Sequence, residues 1–177
     1  VLIGDGVPAG STNQLWGGEG SDTASYAKTT SVVHADLGVQ AGYVGGVLVD
    51  EMNSIENLTG GSNADTLVGD AGANRLTGGG GADVLWGRGG ADVFVFSSYA
   101  ESNLVSGYDT IGDFVSGVSK LDLRAFATDA SHVVIQSDGS STAVYVEQTP
   151  GHFNASTDTA IAFIGPHAIA IGDILFS

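Results

Sequence analysis

Between residues 60 and 95 one large apolar residue returns at every ninth position: Leu67, Leu76, Leu85 and Phe94. Two residues before each stands an acid or its amide: Asp65, Asn74, Asp83 and Asp92. Glycine opens all four nonapeptides, at Gly60, Gly69, Gly78 and Gly87. The pattern predicts a three-residue strand per repeat, such as Val84-Leu85-Trp86. Side chains alternate across a strand, so only the middle one points inward. The other six residues turn the chain, and glycines supply the left-handed conformations such turns need. Two nonapeptides then make one turn of a flattened coil, whose turns stack as parallel strands ~4.8 Å apart. A fifth copy stands alone at Gly17-Gly18-Glu19-Gly20-Ser21-Asp22, and weaker half-copies cover 13–16 and 54–59.

Beyond the repeats, Val133–Ile135, Ala143–Val146 and Thr159–Ile164 read as strands, with a hairpin-type turn at Ser137-Asp138-Gly139-Ser140. The whole chain is predicted to be all-β. Trp16 and Trp86 both stand at position 9, outside the coil. They read as packing on flanking strands or as a sugar-stacking platform.

Charge and composition narrow the function. The 177 residues carry 20 acids against 5 Lys and Arg, a net charge of −15. Five scattered cations make no nucleic-acid face and no anchor for an anionic membrane. No apolar run approaches the ~18 residues of a membrane span. Cysteine is absent, which removes disulfides, thiolate zinc sites and a Cys nucleophile. The opening Val1-Leu2-Ile3-Gly4-Asp5 has no initiating Met and no basic leader, and reads as a piece of a longer chain. His34, His132, His152 and His167 form no HExxH pair and read as surface or structural residues; no Gly-x-Ser-x-Gly is present either. Asp109 and Asp113 read as ligands or caps rather than as a catalytic carboxylate pair.

The candidate chemistry lies in the stacked acids. Loops two repeats apart share an edge of the coil, so their position-6 carboxylates approach and repel unless screened. Carbonyls turned into the same gap lack donors. A hard divalent cation answers both problems, because Ca²⁺ takes 6–8 oxygen ligands. The competing readings are a flexible linker, which does not keep Leu and Asp in register, and a metal-free glycine-rich solenoid.

The unit Gly-Gly-x-Gly-x-Asp-x-Leu-x resembles the repeats-in-toxin (RTX) nonapeptide. The chain is most similar to the C-terminal domain of serralysin-type metalloproteases. Ser21–Tyr26, Val33–Leu37 and Ser54-Ile55-Glu56-Asn57 are similar to that family's lead-in; Ala100-Glu101-Ser102, Tyr108–Phe114 and Lys120–Phe126 are similar to its capping segment. The resemblance implies a parallel β-roll of calcium-binding repeats flanked by an antiparallel β-sandwich. It divides the chain into a lead-in (1–59), the roll (60–95), a cap with acidic ligands (96–126) and an antiparallel region (127–177). The implied ligands are the side chains of Asp65, Asn74, Asp83 and Asp92, with Asp22 from the isolated copy. Carbonyls of Gly61, Asn63, Asp70, Gly72, Gly79, Gly81, Arg88 and Gly90 would join them. Ser54 and Glu56 would close the first turn, Glu101 and Asp109 the last.

Three departures stand out. Asn74 is neutral, Asn63 replaces a glycine at a position expected to need positive φ, and Ser119 stands where an acid is usual. Arg88 is expected to matter only through its carbonyl. The resemblance implies a non-catalytic, secreted, extracellular module. It would fold on several Ca²⁺ ions, serve an upstream domain, and engage type I secretion machinery through its C-terminus. Gly172-Asp173-Ile174-Leu175-Phe176-Ser177 reads as an export signal, as a last strand, or as both in turn. The alternative function is a polysaccharide-binding, alginate-type module.

Overall fold

In every repeat the position-8 side chain turns inward, and these side chains stack into two apolar columns. The computed structural model describes residues 1–4, 11–105, 107–126, 128–165 and 168–177; Asp5 and His167 lie outside these. One sheet runs in the order β1 (Leu2–Ile3), β3 (Thr23–Ser25), β7 (Asn57–Thr59), β9 (Arg75–Thr77), β11 (Val93–Val95), β13 (Lys120–Asp122), β17 (Ile174–Leu175), parallel throughout. Its inward column is Ala24, Leu58, Leu76, Phe94, Leu121 and Ile174, all buried. The facing sheet centres on β4 (Val33–Asp36), β8 (Thr66–Val68), β10 (Val84–Trp86), β12 (Asp109–Ile111) and β16 (Thr159–Phe163), also parallel. Its column is Ala35, Leu67, Leu85, Ile111 and Phe163.

The parallel ladders therefore run well beyond residues 60–95. Outside that block the chain between stacked strands is longer and of unequal length, so no fixed period remains to be read. Antiparallel pairing extends the second sheet at both ends. At one end β4 pairs with β5 (Ala41–Val44) and β5 with β6 (Val47–Asn53), while β2 (Asn13–Trp16) lies parallel on β6. At the other, β16 pairs with β15 (Thr142–Val146) and β15 with β14 (Val133–Ser137). The last fifty residues are thus mixed, because β16 and β17 rejoin the parallel ladders. Ser119 lies in register with Asp92, and Asp173 and Ile174 are buried at the start of β17.

The core thickens toward the C-terminal end. Phe114 bridges Phe94 of one sheet, at 6.0 Å, and Phe163 of the other, at 5.4 Å edge-on. The two tryptophans part company. Trp86 lies over the backbone of Gly112 in the next turn, where a Cβ would overlap the indole. Trp16, on β2, is 67% exposed. No helix among the described residues is long and apolar enough to cross a membrane.

Leu85 is fully buried between Leu67 and Ile111. Leu85→Ala is expected to destabilise the calcium-loaded protein by ~2–5 kcal/mol in chemical denaturation. Trp16→Ala should stay within ~0.5 kcal/mol.

Candidate metal centre

Where a short strand begins, the backbone ladder is incomplete and amides need other acceptors. The position-6 acids provide them, each for the turn stacked before it. On edge one, Asp65 Oδ1 accepts from Val33 N at 2.7 Å, Asp83 Oδ1 from Asp65 N at 2.8 Å, and Asp109 Oδ1 from Asp83 N at 2.9 Å. Ser102 Oγ ends the series by accepting from Asp109 N. On edge two, Asp92 Oδ1 accepts from Asn74 N at 3.0 Å. Asn74 Nδ2 donates to the Glu56 carbonyl, and Glu56 Oε2 accepts from Asp22 N.

This geometry explains the opening glycines. Each position-6 head group folds back over its own position-1 residue. A Cβ at Gly60, Gly69, Gly78 or Gly87 would overlap the oxygens of Asp65, Asn74, Asp83 or Asp92. At Gly17 a Cβ would instead overlap the Ser54 carbonyl and the Asp22 Cβ. The turns themselves fall into two kinds. Gly18 and Gly20, Gly79 and Gly81, and Arg88 and Gly90 all have positive φ at positions 2 and 4. Gly61, Asn63, Asp70 and Gly72 do not. Asn63 thus departs from the left-handed conformation expected of it, and its amide instead donates to the Thr30 carbonyl. Asp70 closes a local turn, its Oδ1 accepting from Gly72 N at 2.8 Å.

Among the described residues no Lys or Arg pairs with the buried position-6 acids or with Asp109. Asp65, Asp83, Asp92 and Asp109 are each at most 3% exposed. Asp83 Oδ2 is buried with no hydrogen-bond partner. Burial pushes the Asp83 carboxyl up to about 7, with Asp65 and Glu101 adding repulsion against the opposing Asp65 N–H. Burial likewise lifts Asp109 to about 8, partly offset by the Asp83 N–H and reinforced by Asp83 and Glu101. Asp65, Glu101 and Asp92 are raised for the same primary reason, Asp92 also by Asp113 and Asp70. Edge one therefore gathers Asp65, Asp83, Glu101 and Asp109. On edge two, Ser54, Glu56 and Asp70 line a polar pocket of about 240 Å³ with Gln40. Ser54 and Gln40 both hold left-handed backbones there, at φ 52° and 58°.

An orphaned buried carboxylate oxygen and a set of hard oxygen donors fit a calcium ion. Among the described residues no three His, Cys, Asp or Glu side chains form a metal cluster by themselves. Backbone carbonyls would complete any such site.

Ser102 and the Arg88 side chain were not legible in the sequence, whereas Asp113 reads there as a ligand or a cap. Asp113 accepts from Gly87 N and Arg88 N, at 2.8 and 2.7 Å. Ser102 is fully buried beneath Asp109. The Arg88 side chain, expected to be idle, pairs with Asp36 through both carboxylate oxygens. No periodic signal marks these contacts, since each involves a non-repeating segment.

The Peptidase M10 serralysin C-terminal family matches residues 12–174, and the chain belongs to it. It is a β-roll of the RTX type. No curated protein sequence matches the chain. Among solved structures, the AlgE6R2 subunit of the Azotobacter vinelandii mannuronan C5-epimerase is similar at 24% identity and a TM-score of 0.57, over 89% of this chain and 92% of that one. The AlgE6R3 subunit of that epimerase matches at 20% identity and a TM-score of 0.46, over 98% and 84%.

The raised carboxyls set the sign of the metal-free pH dependence. Their folded values lie above the unfolded one, so the fold binds extra protons between about pH 4 and 8. Their contribution is complete in acid and lost as pH climbs through about 7 to 8. With chelator present, circular dichroism should show more β structure at pH 5 than at pH 8.5. Asp83→Asn should stabilise the chelated protein at pH 8.5 by on the order of 1–3 kcal/mol, since it removes a buried charge. No pH dependence, or the opposite sign, would show that these acids are not uncompensated.

Proposed function

We propose that this chain is a non-catalytic, calcium-driven folding module of a larger secreted protein. The observation that carries the reading is the Asp65–Asp83–Asp109 column, whose buried carboxylates have amide donors but, among the described residues, no Lys or Arg partner. On edge one the ligands would be Asp65, Asp83, Glu101 and Asp109 with the carbonyls of Gly61, Asn63, Gly79 and Gly81. On edge two they would be Asp22, Ser54, Glu56, Asn74 and Asp92 with the carbonyls of Asp70, Gly72, Arg88 and Gly90. Bound Ca²⁺ supplies the positive charge and the oxygen-seeking coordination that these turns lack.

The functional consequence is a fold that waits for its ion. Without calcium, like charges at turn spacing oppose stacking, and one apolar side chain per nine residues contributes only ~1.5–3 kcal/mol each. Ordering the backbone costs ~1–2 kcal/mol per residue. Extracellular-type sites fill at ~0.1–1 mM Ca²⁺, and ion binding then becomes folding free energy. A chain that stays unfolded at low calcium suits export by a type I machine, with folding after release. The C-terminal Asp173-Ile174-Leu175 would be accessible to that machine before β17 forms. A catalytic domain, where the parent has one, would lie upstream.

A polysaccharide-binding role draws less support. Arg75 and Arg124 are both engaged by Asp122, and Lys120 by Asp173 and the Gly172 carbonyl. These contacts occupy three of the five cations that an acidic glycan would need.

Calcium titration tests the reading through its ligand ranking. Asp83 sits between two acids of its column, whereas Asn74 carries no charge. Charge-assisted contacts are roughly twice as strong as neutral ones. Asp83→Ala should therefore raise the calcium midpoint of folding more than Asn74→Ala does. Trp86 fluorescence, recorded beside circular dichroism, reads this out because the indole packs on the adjacent turn. Equal midpoints, or a larger effect at Asn74, would refute the charge-based assignment. Circular dichroism unchanged by excess chelator at pH 7.5 would refute the function itself.

A further inference from the structure

Arg88 is held against its backbone preference. Its φ of 64° lies in the left-handed region that side chains with a Cβ avoid. The equivalent positions in two other copies, Gly18 and Gly79, are glycines with φ of 88° and 97°. Glycine at 88 would relieve the strain at no cost in carbonyl placement. The partners of the side chain account for the arginine. Nη1 donates to Asp36 Oδ1 at 2.7 Å, Nη2 to Asp36 Oδ2 at 2.8 Å, and Nη1 also to the Gly69 carbonyl at 2.9 Å.

The receiving site is shaped for this group. Asp36 ends β4 on edge two and is 8% exposed. Its Oδ1 also accepts from Gly38 N at 2.8 Å. A Cβ on Gly38 would overlap Nη1, so the missing side chain makes room for the guanidinium. Gly69 and Arg88 open successive turns on this edge, above the end of β4. One carboxylate offering both oxygens and one turn carbonyl thus surround a single positive charge. These are the kinds of donor, carboxylate and carbonyl, that the calcium reading assigns to the other turns.

We propose that the Arg88 guanidinium is a tethered cation, holding one inter-turn position of edge two where the repeat would otherwise require a calcium ion. It joins β4 and its hairpin to the turn at 87–92 without metal. Calcium then loads the two edges unequally. The inference rests on the calcium reading of the remaining turns, and the experiment separates the two.

Native mass spectrometry at saturating calcium counts ions in the wild type, Arg88→Gly, Asp36→Asn and the double variant. Circular dichroism gives their calcium midpoints of folding. Arg88→Gly should carry one ion more than the wild type and show a midpoint about three- to tenfold higher, a shift typical of losing one coupled charge pair. Asp36→Asn should raise the midpoint with no added ion. The double variant should fall within about twofold of the worse single change, because both remove the same contact. Equal ion counts with an unchanged or lower midpoint in Arg88→Gly, the signature of strain relief alone, would overturn the inference. If Arg88→Gly does not fold, Asp36→Asn decides: a raised midpoint supports the tethered cation, an unchanged one overturns it. A wild type that binds no calcium overturns the calcium reading and this inference together.

Discussion

Carboxylates are stacked at turn spacing and buried with too few positive charges. The rest of the structure follows from this constraint. Each position-6 acid is needed where it is, because its Oδ1 takes an amide that the ladder leaves unpaired at the start of the neighbouring strand. The same placement buries the second oxygen, and at Asp83 that oxygen finds nothing. Sequence features that look independent answer to this one arrangement. Position 1 is glycine because the head group lies over it, and the short strands leave room for a turn of six residues at each edge.

The interior cannot compensate for strained edges. Three-residue strands each turn one side chain into the space between the sheets, so the two columns give a narrow core over most of the roll. Lateral support comes from outside the repeats. The β4–β5–β6 and β14–β15–β16 meanders widen one sheet, and Phe114 ties the two sheets together near the C-terminal end. Strands recruited from distant parts of the chain therefore continue the ladders that the repeats begin. The turns between them remain the weakest element until their charge is met.

How much of this the sequence revealed depends on whether a feature repeats. The period of nine exposed the inward Leu and Phe columns, the position-6 acids and the strand triplets, since each recurs in register. The ladder partners β12, β13, β16 and β17 share the same geometry but hang on connections of unequal length, so the period is lost there. Contacts between a repeat and a non-repeating segment were invisible: Asp36 with Arg88 lies across 52 residues. Asn63 shows the limit of consensus reasoning. Its residue type suggested a left-handed turn, yet the first two tandem copies use a different turn from the last two, and its amide reaches Thr30 instead. Trp16 and Trp86 occupy equivalent positions, but only Trp86 has a following turn whose glycine accepts an indole.

Crystals grown in millimolar calcium, with diffraction collected at a wavelength where calcium scatters anomalously, test the central claim most directly. Anomalous peaks should lie between the stacked turns that carry Asp65, Asp83 and Asp109, and along the edge that carries Glu56 and Asp92. An ordered roll with the same buried carboxylates and no anomalous peak on either edge would contradict the account.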